Sequence, residues 1–225
     1  MLLILFLLLA FALGAIPFSF IIAKSVKGID LRHHGSGNLG ATNVFRTLGP
    51  RWGVACLLLD MAKGAAAVWL MTMLVDGWQA GEPTPFNITP DLFRIFAGAF
   101  ASLGHTFSPF VSFHGGKDVA TTGGAFAVLE PYAILVTVIV FAIVAFASHI
   151  VSLASIAAAC VLPLAVLFFE RQSPDTSKTI IWFTFCVCGW VIWRHRANLV
   201  RLRAGTEGKL RHHKGDGASP PPPTA

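Results

Sequence analysis

Gly115, Gly116 and Lys117 stand immediately before an apolar run that begins at Val119. Glycines let backbone N–H groups come close to a ligand, the lysine adds a cation, and a helix N-terminus contributes unpaired donors and partial positive charge. Together they suit a phosphate, although Gly-Gly-Lys beside a helix start is also an ordinary tight turn. Two further segments join it. Gly35, Ser36, Gly37, Asn38, Gly40, Thr42 and Asn43 form a stretch of small and polar residues ending at Arg46, and its alternation of small residues suits a backbone nest for an oxyanion. Arg194, His195, Asn198 and Arg201 lie in a basic segment that ends at Glu207. The combined inventory is rich in anion receptors, so the expected ligand is one phosphate or two. Asp30, Asp118 and Glu207 are isolated in sequence, which argues against a magnesium-dependent phosphotransferase.

The elements that must hold these groups are membrane helices. Of 225 residues, 55% are hydrophobic and 12% are charged, about half the charge of a soluble domain of this size. The net charge of +6 does not point to nucleic acid, because the basic residues gather at the ends of apolar spans, where they orient helices in a bilayer. Cys56, Cys160, Cys186 and Cys188 all fall inside apolar runs without paired loop spacing, so neither a disulfide framework nor a zinc site is indicated.

Met1 to Ala23 is apolar over about the length of a bilayer crossing, with positive charge after it and none before. A cleaved signal peptide carries its charge in front. This span is therefore expected to stay, with its N-terminus outside and its far end in the cytoplasm. Gly53 to Val75 returns outward and carries Asp60 and Lys63 on one face, a spacing that suits structural pairing. Leu92 to Ser112 comes back inward with His105 near its inner end.

Val119 to Glu130 is short and is followed by Pro131 and the apolar Tyr132 to Ala147, so it is either half of a kinked helix or a crossing of its own. The basic C-terminal segment belongs in the cytoplasm. Starting outside and ending inside requires an odd number of crossings, which makes Val119 to Glu130 a broken helix beside a polar cavity. The sixth and seventh spans end near Phe169 and Trp193. The expected fold is all-α: a polytopic integral membrane protein of seven transmembrane helices, one domain over residues 1–210, and a disordered polar, proline-rich tail over 211–225. This topology brings Gly35 to Arg51, His105 to Gly124, Ser148 to Ser155 and Arg194 to Glu207 to one membrane face.

Three motifs carry a resemblance to a known family. They are Gly35-Ser-Gly-Asn38 through Gly40, Thr42, Asn43 and Arg46; Gly104-His105 followed by Gly115-Gly116-Lys117 and Val119-Ala-Thr121; and Arg194-His-Arg196 through Asn198, Arg201 and Gly205-Thr-Glu207. The chain resembles the bacterial membrane glycerol-3-phosphate acyltransferases of the PlsY type, and the resemblance runs to about Leu210. It implies seven transmembrane helices in the bacterial cytoplasmic (inner) membrane, with the site facing the cytoplasm. The implied reaction takes an acyl group from acyl phosphate to the 1-hydroxyl of glycerol 3-phosphate, giving lysophosphatidic acid and phosphate. It is the first acylation step of phospholipid synthesis and needs no cofactor or metal.

By motif position, the resemblance implies that Ser36, Arg46, Lys117, His195 and Asn198 bind or orient substrate. Gly115, Gly116 and the helix start would hold acyl phosphate, Ser152 matches a serine before the sixth helix, and His105 and Asn38 would shape the pocket. Gly35, Thr42, Asn43 and Arg201 complete the expected substrate-binding set, alongside Ser36, Lys117, His105 and Asn198 as the expected catalytic group. The partners are the two phosphorylated substrates and membrane lipids. The family usually reads Phe-Lys-Gly-Gly-Lys-Gly, whereas this chain has His114 and Asp118. Asp118 is expected to cap the following helix; a carboxylate turned toward the ligand would instead lower phosphate affinity.

An acyl phosphate is already activated, so positioning and charge stabilisation can carry most of the rate without an acyl-enzyme. The hydroxyl proton could go to His105, to His195 or to a substrate phosphate oxygen, and the resemblance favours the phosphate. His114 and Asp118 fall one residue short of the His-x-x-x-x-Asp spacing of soluble acyltransferases, a coincidence. The alternatives are an organic-phosphate transporter, weakened by polar groups gathering at one face, and an inactive family member, suggested by Asp118.

Overall fold

The computed structural model describes residues 2–76, 89–172 and 177–210. The expected disordered tail, most of the external loop before Asp91 and part of the turn before Lys178 lie outside them. Ten α-helices follow one another among the described residues. Four stretches are long and apolar enough to cross a bilayer: Ile4–Lys27, Pro50–Asp76, Pro131–Ser148 and Val151–Glu170. The protein is an all-helical membrane protein. Side chains such as Phe146, Tyr132 and Trp182 face outward, as expected of surfaces whose solvent is lipid.

The first crossing is not the continuous helix expected over Met1 to Ala23. Pro17 has no N–H and its ring clashes with a preceding carbonyl, so the run divides into α1 (Leu2–Ala15) and α2 (Phe18–Lys27). Two carbonyls at the break take side-chain donors from other elements. Ser108 Oγ donates to Ala15 O at 2.5 Å, and Lys63 Nζ donates to Ile16 O at 2.9 Å. Gly28, left-handed at φ 69°, ends α2.

A loop then leads to the short α3 (Ala41–Leu48) and the long α4 (Pro50–Asp76). α5 (Pro90–Thr106) runs back, and after a glycine-containing loop comes α6 (Val119–Leu129), only 11 residues long. α6 and α7 (Pro131–Ser148) are separate helices: Glu130 at φ −141° interrupts the run and Pro131 starts the next helix. α8 (Val151–Glu170) packs on α7, and α9 (Lys178–Arg194) gives way at His195 to α10 (Arg196–Arg203).

Backbone contact seats α6 against α4. A Cβ on Gly124 would lie 1.8 Å from Met61 O, and one on Gly64 would lie 2.0 Å from Thr121 O. In a bilayer, where lipid is as apolar as leucine, such small-residue contacts supply much of the association. Gly124→Ala should therefore destabilise the protein by about 1–3 kcal/mol. Gly123→Ala, with nothing within 4 Å, should be near neutral or stabilising. Thermal unfolding in detergent checks this pair, and equal melting temperatures would mean that α4 and α6 tolerate separation.

Candidate active site

The end of α5, the starts of α6 and α8, the end of α9 and the loop before α3 all lie at one end of the bundle. They enclose a cavity of about 370 Å³. Each of the four expected polar segments contributes to its wall: Ser36 to Arg46, His105 with Lys117, Ser152 with Ser155, and His195 to Glu207. Antiparallel helices bring residues far apart in sequence to the same level.

Glu207 is the hub of one wall. Its Oε1 accepts from Asn198 Nδ2 at 2.6 Å and from Ser152 Oγ at 2.7 Å, while Oε2 accepts from Arg201 Nε at 2.7 Å. Burial would raise its carboxyl, but those three hydrogen bonds outweigh it and hold Glu207 below the ordinary range. Asn198 then presents Oδ1 to Lys117 Nζ, so one carboxylate fixes the amide that fixes the lysine. Arg46 is tied at Nη2 to Gly208 O, 2.6 Å away.

The wall is cationic enough to affect its own lysine. Burial, followed by repulsion from Arg201, Arg194 and Arg46, pushes Lys117 down to about 8, with Glu207 pulling the other way. A cavity that strains to keep its cations charged is suited to an anion. His195 Nδ1 lies 2.8 Å from Val191 O, and burial pushes its imidazolium down to about 4. The ring is therefore neutral at physiological pH, with Nδ1–H donating and Nε2 able to accept.

A second cavity, apolar and about 170 Å³, abuts the first and shares Leu57, Val119, Ala120, Phe141 and Ser155 with it. Its remaining wall comes from α4, α6, α7, α8 and α9. A charged chamber continuous with an apolar slot fits a molecule that has one phosphorylated end and one hydrocarbon end.

The glycerol-3-phosphate acyltransferase family matches residues 4–205 of this chain. The chain belongs to that family. A glycerol-3-phosphate acyltransferase of Fusobacterium nucleatum is 39% identical over 207 residues, covering 92% of this chain and 97% of its own. Another, from Bacillus subtilis, is 39% identical over 211 residues, covering 94% and 99%. The crystal structure of PlsY, an integral membrane glycerol 3-phosphate acyltransferase, in its glycerol 3-phosphate form superposes with a TM-score of 0.77 at 33% identity, covering 93% of this chain and 96% of that one. Its lysophosphatidic acid form gives 0.75 at 32% identity, covering 93% and 95%.

Within this acyltransferase fold, Ser36, Asn38, Thr42, Asn43, Arg46, His105, Lys117, Ser152, His195, Asn198 and Arg201 all line the polar cavity. Gly35, Gly115 and Gly116 do not. Close packing accounts for the two neighbouring glycines. A Cβ on Gly115 would lie 1.8 Å from His105 O, and one on Gly116 would lie 2.2 Å from His105 Nε2. They seat the loop on the end of α5, and Arg194 Nη2 holds it from the other side through Gly116 O at 2.8 Å.

Asn43 has a comparable loop-building role. Its Oδ1 accepts from Ser36 N at 2.9 Å, and its Nδ2 donates to His34 O at 2.9 Å and to Asn38 O at 3.0 Å. The Ser36 N–H expected in an oxyanion nest is thus already engaged.

Asp118 does stand at the N-cap of α6, but it makes no hydrogen bond to the helix backbone, contrary to expectation. Its Oδ2 accepts from the Thr122 hydroxyl at 2.9 Å instead. Two further features escaped the expected site set. Glu207 looked like an isolated acid, although its place at the end of the third motif was a usable signal. Lys63 Nζ, beside Asp60 Oδ1 at 2.7 Å, also reaches His105 Nδ1 at 2.8 Å, which fixes the ring that Gly116 packs against. The i, i+3 spacing disclosed the pair and not its third member.

Proposed function

We propose that this protein transfers a fatty acyl group from acyl phosphate to the 1-hydroxyl of glycerol 3-phosphate, releasing lysophosphatidic acid and inorganic phosphate. The observation that carries the proposal is the cation-lined cavity abutting an apolar slot, which matches two phosphorylated substrates of which one has a hydrocarbon tail. The crystal forms of PlsY named for glycerol 3-phosphate and for lysophosphatidic acid support the acceptor and the product.

In the proposed step, the glycerol C1 oxygen attacks the acyl carbonyl, the bond from that carbonyl to the phosphate oxygen breaks, and the hydroxyl proton leaves on the departing phosphate. Lys117, Arg46 and Arg201 offset charge on the phosphates, and neutral His195 can orient the attacking hydroxyl through Nε2. Ser36 and Asn38 lie across the cavity as polar positioning groups. No acyl-enzyme is involved. Ser152 has a carboxylate beside it, but Glu207 is held ionised by three donors and is a weak base.

Seven crossings are proposed, with α1 and α2 as the first and the short α6 as one of them. The N-terminus lies outside, and the cavity faces the cytoplasm, where both phosphorylated substrates would be available. The basic residues of α10 fit that side, and the membrane is then the bacterial cytoplasmic membrane.

Detergent-purified protein given glycerol 3-phosphate should form lysophosphatidate with acyl phosphate and none with acyl-coenzyme A. Product from acyl-coenzyme A alone would overturn the donor assignment. Covalent acyl label recovered on Ser36 or Ser152 would overturn direct transfer.

A further inference from the structure

We propose that Asp118 sets how tightly the cavity holds phosphate as pH changes: protonated, it leaves the positive field of the site intact, and ionised, it sets a buried negative charge against the bound ligand. The inference rests on the assignment of the cavity to phosphorylated substrates.

Asp118 is held at φ 69°, a left-handed conformation that non-glycine residues seldom adopt. It is 1% exposed, lines the cavity, and adjoins Lys117 in the chain. Oδ2 takes the Thr122 hydroxyl, while Oδ1 is buried without a hydrogen-bond partner. A buried carboxylate with one oxygen unpaired costs free energy that a proton lowers by removing the charge. The carboxyl therefore has a physical reason to be neutral.

The groups around it are Lys117 on its own loop, Asp60 and Lys63 on α4, Ser102 and His105 on α5, Thr122 on α6, and Arg194 at the end of α9. Asp60 and Lys63 pair with each other, and Arg194 is tied to Gly116 O. None of these groups forms an ion pair with Asp118 among the described residues. Burial pushes the Asp118 carboxyl up to about 7, with Ser102, Thr122 and Lys63 opposing. It is neutral below that pH and ionised above it. A bound phosphate raises it further by repulsion, so linkage requires affinity to fall by up to about tenfold per pH unit above about 7.

The test is the KM for each substrate of detergent-purified wild type, Asp118→Asn and Asp118→Gly between pH 6.5 and pH 8.5. Asparagine keeps the shape and tolerates the left-handed backbone, and glycine suits φ 69° without any side chain. Ratios to wild type cancel the ionisation of the substrates and of Lys117. The ratio of wild-type KM to variant KM should rise about tenfold across this range for both variants, with kcat ratios flat. KM ratios that stay constant with pH, or a change confined to kcat, would overturn the assignment. Absence of lysophosphatidate from wild type at pH 6.5 would instead remove the phosphate-site reading on which it rests.

Discussion

Lys117→Ala should lower kcat/KM by about 10²–10³-fold, the loss that follows removal of one preorganised donor from a developing charge. The lysine is the cation on the loop between α5 and α6, and Asn198 and Glu207 aim its ammonium through a chain of hydrogen bonds. Removing it takes away both a charge and the purpose of that chain. The pH dependence carries the same information with a definite sign. Burial and three arginines push Lys117 down to about 8, so the cation is complete at lower pH and is lost as pH rises through that value. At saturating substrate, where the effect of Asp118 on KM drops out, kcat should fall on the same limb. Lys117→Arg, which cannot lose its charge in this range, should shift that limb upward even if geometry costs it rate. Steady-state kinetics across pH 6 to 9 reads both effects, and a near-normal rate for Lys117→Ala would exclude the lysine from the site.

Lys63→Met should destabilise the protein by about 3–5 kcal/mol, a fall of roughly 6–20 °C in melting temperature. One ammonium here completes three structures at once. It offsets the charge of Asp60, hydrogen-bonds His105, and donates to the Ile16 carbonyl where Pro17 breaks the first crossing. Methionine has nearly the right shape and leaves Asp60 buried without its counter-charge. Asp60→Asn combined with Lys63→Met should recover part of the loss, because the stranded charge is gone although Ile16 O keeps only its backbone donor, Phe18 N at 3.2 Å. Thermal unfolding in one detergent compares the three proteins. A Lys63→Met variant that melts within about 2 °C of wild type would show that the pair is dispensable.

The helical, membrane-embedded character of this chain was legible in its residues because apolar run length is a local property. So were the four polar segments that meet in the cavity, since alternating the direction of successive spans fixes which loops share a face. The spacing of Asp60 and Lys63 disclosed a pair for the same reason: residues three apart on a helix are neighbours whatever surrounds them. Asp118 illustrates the limit. Its position before α6 suggested a helix cap, but the left-handed backbone and the Thr122 hydroxyl determine where the carboxylate goes, and neither is written in the dipeptide.

What the sequence determined by itself, then, was the set of chemical groups and the end of the bundle at which they gather. Tertiary structure decided their roles. Glu207 binds Ser152 from 55 residues away, Lys63 completes a helix break 47 residues upstream, and Arg46 is tied to a carbonyl 162 residues on. The apolar slot is assembled from five helices, none of which contains it. Hydrogen bonds and cavities depend on ångström-scale approach between packed helices, and that distance is set by small-residue contacts such as Gly124 against Met61, which act across the bundle and leave no periodic trace along the chain.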